Sequence, residues 1–261
     1  MTPTPCRVRA RVVGTRREAA YACVTLDVGP SFPESRPGHF VMLGLPGRHD
    51  PLLPRPYSLY GRDGDRVEVL VAEVGKGSRL LARLLPGDPV DVLGPLGTAF
   101  PAPDGRPALL VAGGVGIAPL RYLLQAWPPL RGTSTLVFGG RTAGFVYAPP
   151  EAPARVLLTT DDGSTGLRGT ALDGVREALR GDDPASWTML ACGPDPMLRA
   201  LVHAWGPRVG GLWASLEAHM ACGMGACLGC VVPDGRGGYL RVCQEGPVFG
   251  REALMGRYRD A

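Results

Sequence analysis

The sequence predicts a multidomain β + α/β protein: an antiparallel β-barrel, a parallel-sheet α/β unit, and a small C-terminal module gathered around cysteines. Three observations carry this reading. The first hundred residues are dominated by short alternating or β-branched runs separated by turn residues. From Ala108 onward, strand-like and helix-like segments alternate. Cys222, Cys227, Cys230 and Cys243 then follow near the C-terminus. The expected boundaries are 1–103, 104–210 and 211–261.

In the first unit, strands are expected at Arg7–Gly14, Ala20–Val28, Phe40–Leu45, Tyr57–Tyr60, Val67–Val74 and Pro89–Leu93. Gly61-Arg62-Asp63-Gly64-Asp65 and Pro86-Gly87-Asp88 supply turns, and Ser78–Leu85 reads as a short helix. That many short antiparallel strands point to a small closed barrel. The texture changes after Pro101–Pro107. Ala108–Ala112 is a buried-type strand, and Gly113-Gly114-Val115-Gly116 leads into a helix over Ile117–Trp127. Pro119 suits the first helical turn, because the N–H it lacks would have no partner within the helix. Strands recur at Thr135–Phe138, Arg155–Thr159 and Thr188–Ala191, and helices at Thr170–Leu179 and Pro196–Trp205, as a parallel sheet requires. The last fifty residues are expected to hold the cysteine loop and little else.

Composition narrows the function. A net charge of +4 with scattered basic residues leaves no nucleic-acid footprint. Nearly all the positive charge is arginine, Lys76 being the lone lysine, which is best read as genome composition. The longest apolar runs, around Leu109–Ala112 and Thr135–Phe138, are too short to cross a membrane. The N-terminus lacks an apolar signal segment and the cysteine count, 7, is odd, so disulfides are not expected and the cytoplasm is the expected location.

The cysteine spacing, C-x4-C-x2-C-x12-C, is that of a plant-type ferredoxin site for a [2Fe–2S] cluster. Three of the four share one glycine-rich loop, Cys222-Gly223-Met224-Gly225-Ala226-Cys227-Leu228-Gly229-Cys230, whose glycines allow positive φ and bring N–H groups toward sulfur. Cys243 returns after a hairpin marked by Pro233-Asp234-Gly235 and Gly237-Gly238. Structural zinc is the other reading, but it usually takes two short knuckles or a Cys/His mixture.

Two strand-to-helix turns in the α/β unit, Gly113–Pro119 and Ala191-Cys192-Gly193-Pro194-Asp195-Pro196-Met197, would line one crevice at strand C-terminal ends. Gly113, Gly114 and Gly116 let backbone approach a dinucleotide, though the complete G-x-G-x-x-G pattern is absent. Cys192, beside Gly193, stands either against a nicotinamide ring or as a buried small hydrophobe. In the barrel, Arg55-Pro56-Tyr57-Ser58 combines a guanidinium for pyrophosphate, a ring for stacking and a hydroxyl for a ring nitrogen. In isolation it is an arginine before an ordinary strand. Val74-Gly75-Lys76-Gly77-Ser78 opens the short helix and offers N–H groups to phosphate.

Taken in order, Arg-Pro-Tyr-Ser, Gly-Lys-Gly-Ser, Gly-Gly-Val-Gly-Ile-Ala-Pro and Cys-Gly-Pro-Asp-Pro-Met resemble the ferredoxin–NADP reductase superfamily. With the cysteine set, Thr160–Ser164 and Ser215–Met220 added, essentially the whole chain resembles the electron-transfer subunits of NAD-dependent (class 1B) dihydroorotate dehydrogenase. The resemblance implies an FAD-binding barrel, an NAD-binding α/β domain and a [2Fe–2S] module. It places Arg55 toward the FAD pyrophosphate, Tyr57 and Ser58 near the isoalloxazine, Leu70, Val71 and Ala72 along the flavin through backbone contacts, and Gly77 and Ser78 at its phosphates. Gly113, Gly114 and Gly116 would approach NAD, Cys192 and Gly193 would lie near the nicotinamide, and the four cysteines would ligate the cluster. Ser78 stands where threonine is usual, and Tyr57 is more typical of the wider superfamily.

The implied function is electron transfer in pyrimidine biosynthesis, from a partner FMN subunit that oxidises dihydroorotate, through [2Fe–2S] and FAD, to NAD. The implied assembly is a heterotetramer of two of each subunit. Barrel, α/β unit and cluster module use up the chain, leaving no dihydroorotate site of its own; an exposed Met224 or Leu228 would give the partner apolar contact or else pack under the cluster. Two other readings compete. One is a reductase subunit of a hydrogenase, oxygenase or transhydrogenase-type complex; the other is a non-catalytic zinc-binding interaction module or redox sensor.

Overall fold

In the computed structural model, which describes residues 4–48 and 50–259, strands β1 (Cys6–Glu18), β2 (Tyr21–Asp27), β3 (Phe40–Gly44), β4 (Arg55–Asp63), β5 (Arg66–Val71) and β6 (Pro89–Leu96) form a closed antiparallel barrel in the order β1-β2-β5-β4-β3-β6. Closure removes edge strands, and alternation sends Val24, Leu26, Val41, Leu59, Val69 and Val92 into its core. The helix α1 (Lys76–Leu81) starts two residues before the expected one because Ser78 closes its first turn: Gly75 N donates to Ser78 Oγ at 3.0 Å. The expected turn at Gly61–Asp65 shrinks, since β4 runs on to Asp63.

The second unit is a seven-stranded sheet. Its strands are β7 (Ala108–Gly113), β8 (Ser134–Gly140), β9 (Arg155–Thr160), β10 (Leu167–Arg168), β11 (Thr188–Cys192), β12 (Gly211–Ser215) and the later β15, in the order β10-β9-β8-β7-β11-β12-β15. All neighbours are parallel except β15, which runs antiparallel to β12. Helices α2 (Ile117–Ala126), α3 (Leu130–Thr133), α4 (Ala171–Ala178) and α5 (Asp195–Trp205) connect the strands. The cysteine-bearing segment carries the hairpin β13 (Val231–Pro233) and β14 (Tyr239–Arg241), then β15 (Val248–Gly250) and α6 (Arg251–Arg257). The last fifty residues therefore hold more than the cysteine loop: β12 and β15 extend the sheet on both sides of it. Short strands with no helical partner leave little periodicity to read, which is why they escape a pattern search.

One buried cation joins the two units. Arg121 of α2 is 94% buried; it donates to both Glu151 oxygens at 2.6 and 2.7 Å, to Glu68 Oε2 at 2.9 Å and to the Tyr60 carbonyl at 3.1 Å. Its guanidinium also stacks on the Tyr60 ring, 4.6 Å from the centroid. Gly61 makes room for it: a Cβ there would collide with Nη1 and lie 2.8 Å from Gln125 Oε1.

His39, at the entry to β3, is 1% exposed. Its Nδ1 accepts a hydrogen bond from Arg36 N at 3.1 Å, and its Nε2 has no partner among the described residues. Burial, with the Arg36 charge adding to it, holds the imidazole down from 6.5 to about 4. The unfolded chain therefore binds the extra proton first. Stability is full above about pH 6.5 and falls as acid takes the pH toward 4, by about 3 kcal/mol at 1.36 kcal/mol per pH unit. Urea melts at pH 7 and pH 4.5 check this: His39→Gln should lose markedly less stability than the parent on acidification, and equal losses would refute it.

Candidate functional site

Two clefts share a wall. The barrel cleft, 430 Å³, is walled by Arg55–Ser58 of β4, Leu70 and Ala72 at the end of β5, Gly75–Ser78 at the start of α1, and Leu216–Met220 after β12. The sheet cleft, 740 Å³, opens at the C-terminal ends of the parallel strands and takes Gly113–Val115, Gly139–Arg141, Asp161, Leu172, Pro194 and Met197. Ala72, Val74, Val115 and Glu217 line both. A ligand ring in one cleft would meet a ring in the other across these four residues.

In the barrel cleft, Arg55 spends Nη1 on the Leu53 carbonyl at 2.5 Å, and its other nitrogens have no protein partner among the described residues. Its stem crosses Gly77, where a Cβ would stand 2.8 Å from Arg55 Nε, so glycine at 77 sets where the guanidinium lies. Tyr57 pairs with Val41 of the neighbouring strand β3, and burial raises its phenol, Arg55 opposing. The Ser78 hydroxyl returns a hydrogen bond to the Gly75 carbonyl at 3.0 Å, so it is spent on its own helix start as well as facing the cleft. Leu70 and Ala72 line the wall, whereas Val71 between them is fully buried in the barrel core. An open slot with an arginine holding spare donors, glycine backbone and an apolar wall fits a flavin dinucleotide.

The glycines of the sheet cleft divide into two kinds. Gly114, at φ +56°, faces open space, its nearest neighbour being Tyr21 Oη at 3.9 Å from a Cβ position. Gly113 and Gly193 face each other: a Cβ on Gly193 would lie 3.0 Å from Gly113 Cα. At Gly116 a Cβ would strike the Cys192 carbonyl and stand 2.7 Å from Gly193 N. These three let the two loops pack together, and Gly113 and Gly114 of the set reach the cleft wall. Cys192 is 2% exposed and belongs to neither cleft wall; burial pushes its thiol well above the ordinary range, with the Glu217 charge adding to it. Glu217, with its carboxyl raised by desolvation, sits in the shared wall; it was missed as a site residue on its own chemistry. The available signal is an acid just past a strand end in the mostly apolar stretch Leu212–Ala218.

Two residues beyond Met220 of the barrel-cleft wall comes Cys222, a span of at most about 7 Å along the backbone. Cys227 is exposed, Cys222 is partly buried, and Cys230 and Cys243 are buried. Gly223 and Gly225 take φ of +71° and +77°, as does Leu228 at +57°. This turns backbone N–H groups toward sulfur: Gly225 N lies 3.1 Å from Cys243 Sγ, Met224 N 3.4 Å from Cys222 Sγ, and Cys243 N 3.5 Å from Cys230 Sγ. Burial opposes ionisation of Cys222, but N–H groups including that of Met224 outweigh it and bring the thiol down to about 7. Among the described residues no three His, Cys, Asp or Glu side chains converge on a single-ion site. The sulfurs of Cys230 and Cys243 instead form a close pair, 3.2 Å apart. Paired thiolates with N–H donors suit a two-iron cluster, in which each iron takes two cysteines. The loop packs on the barrel, a Cβ on Gly223 lying 2.6 Å from Met42 Cγ.

Residues 217–255 match the model of the iron-sulfur cluster binding domain of dihydroorotate dehydrogenase B. A relative from Bacillus caldolyticus, a dihydroorotate dehydrogenase B (NAD(+)) electron transfer subunit, is 42% identical over 82% of this chain and 84% of its own. One of the same name from Caldanaerobacter subterraneus subsp. tengcongensis is 35% identical over 95% of this chain and 98% of its own. The chain belongs to this family. Among solved structures, an NADH-dependent reduced ferredoxin-NADP oxidoreductase superposes with a TM-score of 0.79 at 28% identity, covering 97% of this chain and 93% of that one. A cytochrome P450 reductase from Amycolatopsis gives 0.67 at 26% identity, over 80% of this chain and 67% of its own. As in the family's other members, the chain is an oxidoreductase subunit that works with a catalytic partner. No helix among the described residues is long and apolar enough to cross a membrane.

Proposed function

We propose that this chain carries electrons between a dihydroorotate-oxidising partner subunit and NAD, as the electron-transfer half of a dihydroorotate dehydrogenase in pyrimidine biosynthesis. The observation that carries the reading is the shared wall of Ala72, Val74, Val115 and Glu217, with the cysteine loop attached to the barrel-cleft wall two residues beyond Met220. FAD, when bound, supplies the exchange between hydride pairs and single electrons that joins a nicotinamide to a [2Fe–2S] cluster.

The chain's own residues bind and orient. Arg55 would give its spare guanidinium donors to the FAD pyrophosphate, Pro56, Tyr57 and Ser58 would flank the isoalloxazine, Leu70 and Ala72 would wall it, and Gly77 and Ser78 would bring backbone to the phosphates. Val71 supports that wall from the barrel core. Gly114 leaves the floor of the sheet cleft open to the NAD pyrophosphate, while Gly113, Gly116 and Gly193 hold its two loops together and Cys192 backs them from beneath. Cys222, Cys227, Cys230 and Cys243 would hold the two irons, with Cys230 and Cys243 close enough to share one. Residues 1–103, 104–210 and 211–261 divide this work, with β12 and β15 lent to the neighbouring sheet.

Met224 and Leu228, 51% and 58% exposed beside the exposed Cys227, offer the apolar surface on which the partner rests. We assign that partner FMN and a two-plus-two assembly, in the cytoplasm. The chain prepared alone with FAD and its cluster should reduce ferricyanide with NADH and leave dihydroorotate untouched. Dihydroorotate oxidation should appear when the partner is added, and oxidation without it would defeat the division of labour.

A further inference from the structure

Strand β3 is buried on both faces. Val41 and Leu43 point into the barrel core with Leu59, Val69 and Val92, whereas Phe40 and Met42, two residues apart, share the outer face. That outer face is as dry as the inner one. Phe40 is 2% exposed, Met42 1%, and Leu96, which stands opposite Phe40 on β6, 4%. All three belong to the same apolar cluster as Cys230 and Cys243.

The outer face lies between the barrel cleft and the cysteine loop. On one side β3 is laddered to β4, Phe40 to Ser58 and Met42 to Pro56, and Phe40 itself forms part of the cleft wall. On the other side it carries the loop: a Cβ on Gly223, the neighbour of Cys222, would lie 2.6 Å from Met42 Cγ and 3.1 Å from both Met42 Sδ and Leu96 Cδ1. The far flank of the module is pinned to the barrel just past β6. Thr98 N donates to the Gly246 carbonyl at 2.7 Å, and the Thr98 hydroxyl donates to the Val248 carbonyl at 3.0 Å. From the cleft, the neighbours in order are Phe40, its cross-strand partner Leu96, Gly223 and Cys222, with Met42 beside them.

We propose that this outer face of β3 is the passage for single electrons between the cluster and FAD, and that Met42 is a positioning residue that sets its length by holding the cysteine loop against the barrel. The inference rests on the reading that the barrel cleft takes FAD and the cysteine loop the [2Fe–2S] cluster. Each passage oxidises the cluster by one electron and reduces the flavin by one. Two passages make up the pair that NAD accepts as hydride, and the proton of that hydride comes from solvent at the cleft. Phe40, Met42 and Leu96 offer a proton no polar foothold, so charge crosses β3 as electrons alone. The module is thereby two-sided: exposed Cys227, Met224 and Leu228 face outward, and the packed face leads inward.

Light-driven reduction of the FAD- and cluster-loaded chain by 5-deazaflavin, without NADH or partner, tests this. Electron exchange between flavin and cluster is followed from their visible bands, and rates are compared among chains holding both iron and flavin. Met42→Ala should slow the exchange about 10–100-fold, the scale of changes just outside a ligand shell. Met42→Leu conserves volume and should restore most of the rate. Val41→Ala, one residue away on the core face, should lower the melting temperature and leave the exchange rate alone. Should Met42→Ala not fold, Met42→Val carries the same expectation. A parent rate in the Met42 variant would move the route to the covalent run Met220–Cys222 and overturn the proposal, as would equal slowing in Val41→Ala. A parent chain that takes up no flavin or no iron would overturn the cofactor reading beneath it.

Discussion

Cys230→Ala protein is expected to emerge without its iron–sulfur bands while keeping its flavin. Cys230 is 3% exposed and pairs with Cys243 at 3.2 Å, so its loss leaves one iron with a single protein ligand and no nearby substitute. Changes merely outside the ligand shell of a metal site cost about 10–100-fold, so dihydroorotate-to-NAD turnover with the partner should fall by more than about 100-fold. Ferricyanide reduction by NADH should persist, because Arg55, Tyr57, Ser58 and the sheet cleft are built by other segments. Iron content, the visible spectrum and the two rates together decide the matter. Full iron with an unchanged coupled rate would refute the ligand assignment.

Gly116→Ala should produce a large stability loss from a single methyl group. The backbone at Gly116 has ordinary helical φ and ψ of −60° and −10°, so conformational strain is not the issue. The added carbon would meet the Cys192 carbonyl and Gly193 N, which are backbone atoms of the opposite loop and cannot swing aside. Overpacking of this kind costs about 3 kcal/mol, or about 6–12 °C in Tm for a chain of this size. The loops at the ends of β7 and β11 must part, so KM for NADH should rise with flavin content unchanged. A melting temperature within about 2 °C of the parent would mean that the loops separate freely.

The cysteine spacing and the strand–helix alternation were legible because each is local: ligand spacing lies within one loop, and periodicity within one element. Roles that depend on what lies opposite were not. The glycine loop reads as a phosphate cradle, yet Gly116 exists to admit the Cys192 carbonyl, a partner 76 positions away. Ser78 reads as a phosphate ligand, and its hydroxyl turns back to Gly75. Val71 reads as lining the flavin through its backbone, and strand alternation turns its side chain into the barrel core. Arg121 sits within the apolar pattern Ile117, Leu120, Leu124, where a charge in the buried stripe was the only sign of a cross-unit contact. Glu217 acquires its place only when β12 is laid beside β11.

Arg121 has a consequence for timing. A guanidinium sealed from water between Glu151, Glu68 and Tyr60 is scarcely reached by dissolved ions, and stripping away one partner of such a group costs about 3–5 kcal/mol. The barrel and the sheet are thus locked before any ligand arrives, and the gap that electrons must jump is set when the chain folds.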